Sequence, residues 1–173
     1  AEYMLSGRDE EASGTVVAGA LEGARPILLE IQALIAHTAF PYPKRQAAGA
    51  DYNRLSLLMA VLENRNHYSL SDQDAYINVA GGMKIVEPAL DLGMVMAIVS
   101  SYKRRPLPKD LVVFGEVGLS GEVRSVAMAQ LRVKEAKKLG FSKVMLPASN
   151  VKGLDSTEGI EIIAVKNLAQ ACE

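Results

Sequence analysis

Tryptophan is absent from this 173-residue chain, and cysteine occurs once, at Cys172. A single cysteine excludes an internal disulfide and a cysteine-rich zinc site. The two histidines, His37 and His67, lie too far apart and too poorly accompanied to suggest a metal centre, so structural or surface roles fit them. Aromatic residues make up 5% of the chain, which argues against recognition of bases by stacking. No apolar run approaches the ~18 residues that would suggest a membrane span. Residues 1–13 are acidic and lack the apolar core of a secretory leader, so a cytoplasmic, reducing setting is expected. An excess of charge of either sign is also lacking. The net charge of −1 excludes a globally basic nucleic-acid binder. There is no GxxxxGK[ST], hence no phosphate-binding loop of that type.

The composition that is present, 49% apolar and 23% charged, is that of a globular protein with a sizeable core. One domain over residues 13–173 is expected, preceded by an acidic boundary segment, 1–12, that belongs to a linker or an upstream module. Charge is unevenly placed: residues 1–13 carry −3, residues 151–173 carry −2, and residues 14–150 carry +4. Convergence of the central Arg and Lys side chains would create an anion-binding patch. A mixed, solvated surface is the other reading.

Periodicity places the elements. Gly14 to Leu21 and Ile27 to Ile35 are rich in Val, Leu and Ile, and the turn-like stretch from Glu22 to Pro26 joins them, which predicts a β-hairpin. Phe40 to Ala50, with two prolines and a glycine, reads as a loop. Asp51 suits an N-cap for a helix with Leu55, Leu58, Met59 and Leu62 at helical spacing. Tyr76 to Val79 reads as a strand closed by Gly81-Gly82. Glu87 to Tyr102 reads as a buried helix. Ser100 and Ser101 fall late in it, where hydroxyls usually bond back to the helix backbone. Leu111 to Phe114, Val144 to Leu146 and Ile160 to Val165 read as strands. Gln130 to Leu139 reads as an amphipathic helix, and Asn167 to Ala171 as a last short one. Mixed strands and helices indicate α+β or α/β.

Two longer blocks carry a family resemblance. The segment Glu87-Pro88-Ala89-Leu90-Asp91-Leu92-Gly93-Met94-Val95-Met96 leads into an apolar helix. Leu111 to Val123 follows, and then a basic helix with Arg132. This order resembles the proteolytic domain of Lon-type proteases, in which the position of Ala89 holds a nucleophilic serine and that of Arg132 a general-base lysine. Alanine has no nucleophile, and arginine keeps its proton at neutral pH. A closer resemblance is carried by Asp51-Tyr52-Asn53-Arg54-Leu55, by Val79-Ala80-Gly81-Gly82-Met83-Lys84, and by Asp110 to Arg124. These look like the C-terminal domain of the RadA (Sms) family of bacterial DNA repair and recombination proteins. That resemblance runs from about Ser13 to Lys166. It implies an α+β, Lon-protease-like fold with mixed sheets, helices and an early hairpin. It also implies a non-enzymatic fragment with a degenerate protease site, forming a homohexameric ring that binds DNA without sequence preference. ATP, Mg and Zn would belong to upstream modules, no cofactor to the fragment itself, and recombinase RecA would be a partner of the whole protein.

The basic residues can be weighed beside this. Arg45 and Arg54 flank a Gly-containing loop and a helix N-terminus, where backbone N–H groups and the dipole favour phosphate. Lys84 follows Gly81-Gly82, Arg124 follows the turn at Gly118 to Val123, and Arg25 sits in the first hairpin turn. Lys103-Arg104-Arg105, with Lys109, form the densest cluster, which also suits a helix C-terminus. For each, a phosphate contact stands beside a solvated charge or an internal ion pair. Arg132 would pair with a carboxylate such as Asp91. Three readings follow: a DNA-binding, oligomerising domain; a peptidase with unconventional residues, for which no nucleophile and base are in place; and a structural ring scaffold whose DNA is held by other modules. Phosphate contacts would make DNA binding sequence-independent and salt-sensitive.

Overall fold

The computed structural model describes residues 12–80 and 87–172. Strand β1 (Thr15–Glu22) turns back into β2 (Arg25–His37), with Thr15 opposite Gln32 and Glu22 opposite Arg25. This hairpin is the expected one. β3 (Arg45–Ala48) lies inside the segment read as a loop, and it pairs in parallel with β4 (Gln73–Val79) from Arg45↔Ala75 to Ala48↔Asn78. Four residues with no apolar alternation carry little strand signal of their own, so the neighbouring ladder makes β3 a strand.

Helix α1 (Tyr52–Asn66) starts where Asp51 accepts a hydrogen bond from the Asn53 N–H at 3.0 Å, the N-cap geometry the sequence predicts. It ends at His67, a left-handed cap. A short 3₁₀ turn at Pro88–Leu90 leads into α2 (Asp91–Lys103). β5 (Leu111–Val113) is followed by a two-stranded ribbon of β6 (Glu116–Val117) and β7 (Val123–Arg124). α3 (Ala129–Lys138), β8 (Lys143–Pro147), β9 (Glu161–Val165) and α4 (Leu168–Ala171) complete the order.

Seven strands form one sheet in the order β3-β4-β2-β1-β5-β8-β9. Four of its six pairings are parallel; only β1–β2 and β2–β4 are antiparallel. The expected α+β, Lon-type arrangement is therefore corrected to a mostly parallel α/β sheet. The reason is that the strands pair across long stretches of chain. Val17 pairs with Val112 and Val112 with Val144, and no local pattern announces such crossovers.

Alternation along the central strands sorts the core into two layers. Val16, Ala18 and Ala20 of β1, Ile27, Leu29 and Ile31 of β2, and Leu111 and Val113 of β5 join the layer under α1 and α2. Val17, Leu28, Val112 and Val144 face the other layer with Phe114 and the α3 residues Ala129, Val133 and Ala136. Burial on both faces explains why β1 and β5 read as unbroken apolar runs. Gly93 lets α2 press close: a Cβ there would meet Ile31 Cδ1 at 3.0 Å and Ala18 Cβ at 3.3 Å.

Candidate functional site

The two ends of α2 carry the chemistry. Thirteen residues separate them by about 20 Å at 1.5 Å per residue. The N-terminal end is acidic and closed into ion pairs; the C-terminal end is basic and open.

Asp91 begins α2 with its side chain 1% exposed. It accepts from Arg54 Nε at 2.8 Å, from Arg54 Nη2, and from the Val117 N–H at 3.0 Å. Arg54 Nη2 also donates to the Val117 carbonyl at 2.9 Å. One guanidinium fork thus ties α1, α2 and β6 together, with the bidentate geometry that suits Arg rather than Lys. Burial pushes the Asp91 carboxyl up from the ordinary carboxylate range, against the pull of Arg54 and the Val117 N–H. The hydrogen bond to Asp91 raises the Arg54 guanidinium further above its ordinary value.

A pocket of about 120 Å³ opens beside this pair, lined by Asp51, Glu87, Asp91 and Glu116 with apolar Leu90 and Met94. Arg54 is the cation among its lining residues, and Asp91 neutralises it. Two helix N-termini therefore meet here without a free cation among the described residues, and four carboxylates make the pocket a poor host for phosphate. Glu87 is held from two sides. Its Oε1 pairs with Arg132 Nη2, and its Oε2 accepts the Leu21 N–H at 2.9 Å.

Arg132 is itself 2% exposed. Its Nη1 donates to the Gly19 carbonyl and its Nε to the Ala127 carbonyl, each at 3.0 Å. Its guanidinium carbon lies 5.7 Å from the Phe114 ring centroid. The expected pairing of Arg132 with Asp91 is corrected: Arg132 pairs with Glu87, and Asp91 with Arg54. Ala89 is buried in the 3₁₀ turn, and its carbonyl accepts the Gly115 N–H at 2.9 Å.

At the other end, Lys103, Arg104 and Arg105 are exposed. Arg104 caps α2 in the left-handed conformation at φ 55°, and the cations offset the helix dipole. Lys103 Nζ donates to the Cys172 carbonyl at 3.1 Å and sits 5.6 Å from the Tyr68 ring centroid. The Arg104 and Arg105 guanidiniums have no hydrogen-bond or ion-pair partner among the described residues. Tyr68 packs edge-on to Tyr102 with centroids 5.6 Å apart. Burial pushes its hydroxyl up to about 12 and also pushes the Cys172 thiol up.

The remaining candidates scatter. Arg45 is turned inward, with Nη1 donating to the Gln73 carbonyl and Nη2 to the Leu70 carbonyl at 3.3 Å. Arg25 and Arg124 are exposed but lean on Glu22 and Glu122 of their own hairpins. The Arg124 hydrogen bond holds the Glu122 carboxyl below the usual range. Lys84 lies outside the described residues. The structure thus gathers Lys103, Arg104 and Arg105 and does not join Arg45 or Arg54 to them. Ser100 and Ser101 bond to distant backbone rather than only back along the helix: Ser100 Oγ accepts from the Gly14 N–H and Ser101 Oγ from the Ile35 N–H, each at 2.9 Å. Sequence reasoning missed Glu87 and Glu116 as pocket residues. Asp91 had a signal: a lone carboxylate between Leu90 and Leu92 in an apolar helix needs a buried partner.

Residues 54–150 match the family model described as subunit ChlI of Mg-chelatase. The chain is 51% identical over 171 residues to the DNA repair protein RadA of Bacillus subtilis, covering 98% of this chain and 37% of that protein. It is 48% identical over 168 residues to the DNA repair protein RadA of Escherichia coli, covering 97% and 36%. The RadA of Halalkalibacterium halodurans is 47% identical over 172 residues, covering 99% and 38%. The chain thus spans little more than a third of the length of these curated relatives. These matches correct the reading of a degenerate protease. The matched model is that of a chelatase subunit, not a Lon-type C-terminal domain. Ala89 and Arg132 then have structural explanations, as a packed turn residue and as one partner of a buried ion pair.

Proposed function

We infer the function from one premise: this chain belongs to the family of subunit ChlI of Mg-chelatase. It is part of a DNA repair ATPase of the RadA kind, and it touches DNA through phosphate contacts without reading sequence. The RadA relatives support the repair role, and the matched ChlI region supports membership of an ATPase. The chain has no GxxxxGK[ST], so ATP and magnesium, like zinc, are assigned to the remainder of the protein.

The observation that carries the DNA contact is the pair Arg104 and Arg105, exposed, adjacent and unpartnered among the described residues, beside Lys103. Arg45 and Arg54 are engaged by carbonyls and by Asp91, and so drop out of the contact set. Arg25 and Arg124 would first have to leave Glu22 and Glu122. Cytoplasmic location, self-association in a ring and contact with RecA through the whole protein complete the reading; sedimentation velocity reads the self-association. Among the described residues, no helix is long and apolar enough to cross a membrane.

The test is fluorescence anisotropy of a labelled duplex titrated with the chain across a salt series. Affinity should fall with salt at a log–log slope of roughly −0.9 per neutralised phosphate, and Arg104→Ala with Arg105→Ala should reduce that slope by about 1.8. Absence of binding at low salt, or an unchanged slope in the double variant, would refute the assignment.

A further inference from the structure

The basic end of α2 borders a second pocket, of about 250 Å³. Met96 and Val99 of α2 and Ala171 of α4, all buried, line it together with half-buried Leu107. Lys103 and Arg105 are its cations, and no aspartate, glutamate or aromatic residue is among its described lining residues. It is the electrostatic opposite of the pocket at the other end of α2, which has four carboxylates. An apolar cavity with a few charged groups at its edge has the form of a ligand site.

The rim is fixed before any ligand arrives. The Arg105 N–H donates to the Ser100 carbonyl at 3.0 Å, and the Arg105 carbonyl accepts from the Ser100 hydroxyl. That hydroxyl oxygen also accepts the Gly14 N–H at 2.9 Å. Pro106 and Pro108 lock φ on either side of Leu107. Lys103 donates one ammonium proton to the Cys172 carbonyl, which leaves two for an acceptor. The Arg104 and Arg105 guanidiniums have no partner among the described residues. Little ordering therefore remains to be done on binding.

Charge and lining together choose the occupant. Cations with no carboxylate among them call for an anion. The backbone of a duplex offers phosphates and sugars, which do not fill an apolar cavity. The bases of a single strand stack on aromatic faces, and this lining is aliphatic. An acidic peptide carries carboxylates and an apolar side chain next to each other. We propose that the basic end of α2 docks an acidic segment of a partner protein, one apolar side chain of which fills the pocket while its carboxylates pair with Lys103, Arg104 and Arg105. The same cations are assigned the phosphate contacts above, so peptide and duplex take turns there. The docking itself does not rest on that assignment.

Fluorescence anisotropy without DNA decides it, with the 173-residue chain and a labelled peptide of aspartates and glutamates around a single leucine. Binding should saturate below about 1 mM peptide and weaken as salt rises. Replacing the peptide's leucine by serine should cost about tenfold or more, the loss of a leucine side chain from an apolar site. Arg104→Ala with Arg105→Ala should cost about threefold or more at low salt. Leu107→Ser, checked for folding by thermal unfolding, should weaken the leucine peptide and leave the serine peptide unchanged. No saturable binding, or equal affinity for the two peptides, overturns the docking. That comparison uses the unaltered chain, so it stands even where Leu107→Ser does not fold. A labelled oligothymidylate that loses affinity in Leu107→Ser, while the two peptides bind equally, would assign the pocket to a base of a single strand instead. Failure of the chain to bind a duplex refutes only the DNA reading, because this assay contains none.

Discussion

Replacing Arg54 by methionine leaves the Asp91 carboxylate buried at 1% exposure with one remaining donor among the described residues, the Val117 N–H. Breaking a buried pair from one side typically costs about 3–5 kcal/mol, because an uncompensated charge stays inside. For a chain of this length, that loss lowers Tm by roughly 6–20 °C, at 2–4 °C per kcal/mol. Removing both charges, as in R54M with D91N, should recover most of the loss, since an apolar or neutral replacement of a buried pair is often close to neutral. The pH dependence has a definite sign. Burial already raises the Asp91 carboxyl, and loss of Arg54 leaves only the Val117 N–H to oppose this rise among the described residues. The folded variant then holds a proton on Asp91 that the unfolded chain releases, so its stability rises as pH falls from 7 towards 5. Urea unfolding of both variants at pH 7 and pH 5 measures these effects. A cost below about 1 kcal/mol for R54M, with no recovery at pH 5, would refute the account of the Asp91 pair as a buried charge held by Arg54.

Arg132→Met should destabilise by a similar ~3 kcal/mol, because among the described residues Glu87 then keeps the Leu21 N–H alone; thermal unfolding checks it, and unchanged Tm would contradict the burial argument. The Tyr68 hydroxyl, raised to about 12 by burial, should ionise after ordinary tyrosines. Stability contributed by this group is fully present below its unfolded value near 10 and is lost as pH rises towards 12. Absorbance titration at 295 nm should show one late tyrosine that Tyr68→Phe removes. Gly14→Ala should cost about 1–3 kcal/mol from the left-handed backbone alone, and more from the contact with the Ala33 carbonyl; urea midpoints read the loss. Ser100→Ala, which removes the hydroxyl joining Gly14 to Arg105, should cost about 1–3 kcal/mol and loosen the N-terminal strand, visible as faster amide exchange at Gly14.

Local signals were legible where the determinants were local. Turn chemistry between two apolar runs gave the β1–β2 hairpin, Asp51 gave the start of α1, and the apolar run after Pro88 gave α2. β3 was illegible because its strand state comes from pairing with β4, 30 residues away in the register. The class of the fold was misread for the same reason: parallel neighbours such as β1 and β5 meet across some 95 residues. The site followed this division. A density of cations at Lys103-Arg104-Arg105 was visible in sequence, and its exposure followed from its place beyond an apolar helix. The fates of Arg45, Arg54 and Arg132 were not visible.

The sequence by itself determined the short-range elements and the uneven charge, because propensity, capping and turn residues act within a few positions. Only the tertiary structure decided which cations face water and which are held inside. Arg54 finds Asp91 across 37 residues and Arg132 finds the Gly19 carbonyl across 113. Arg104 and Arg105 find no such partner among the described residues. An arginine has the same charge in each case. What it does depends on the carboxylate or carbonyl that the packed sheet and helices bring to it.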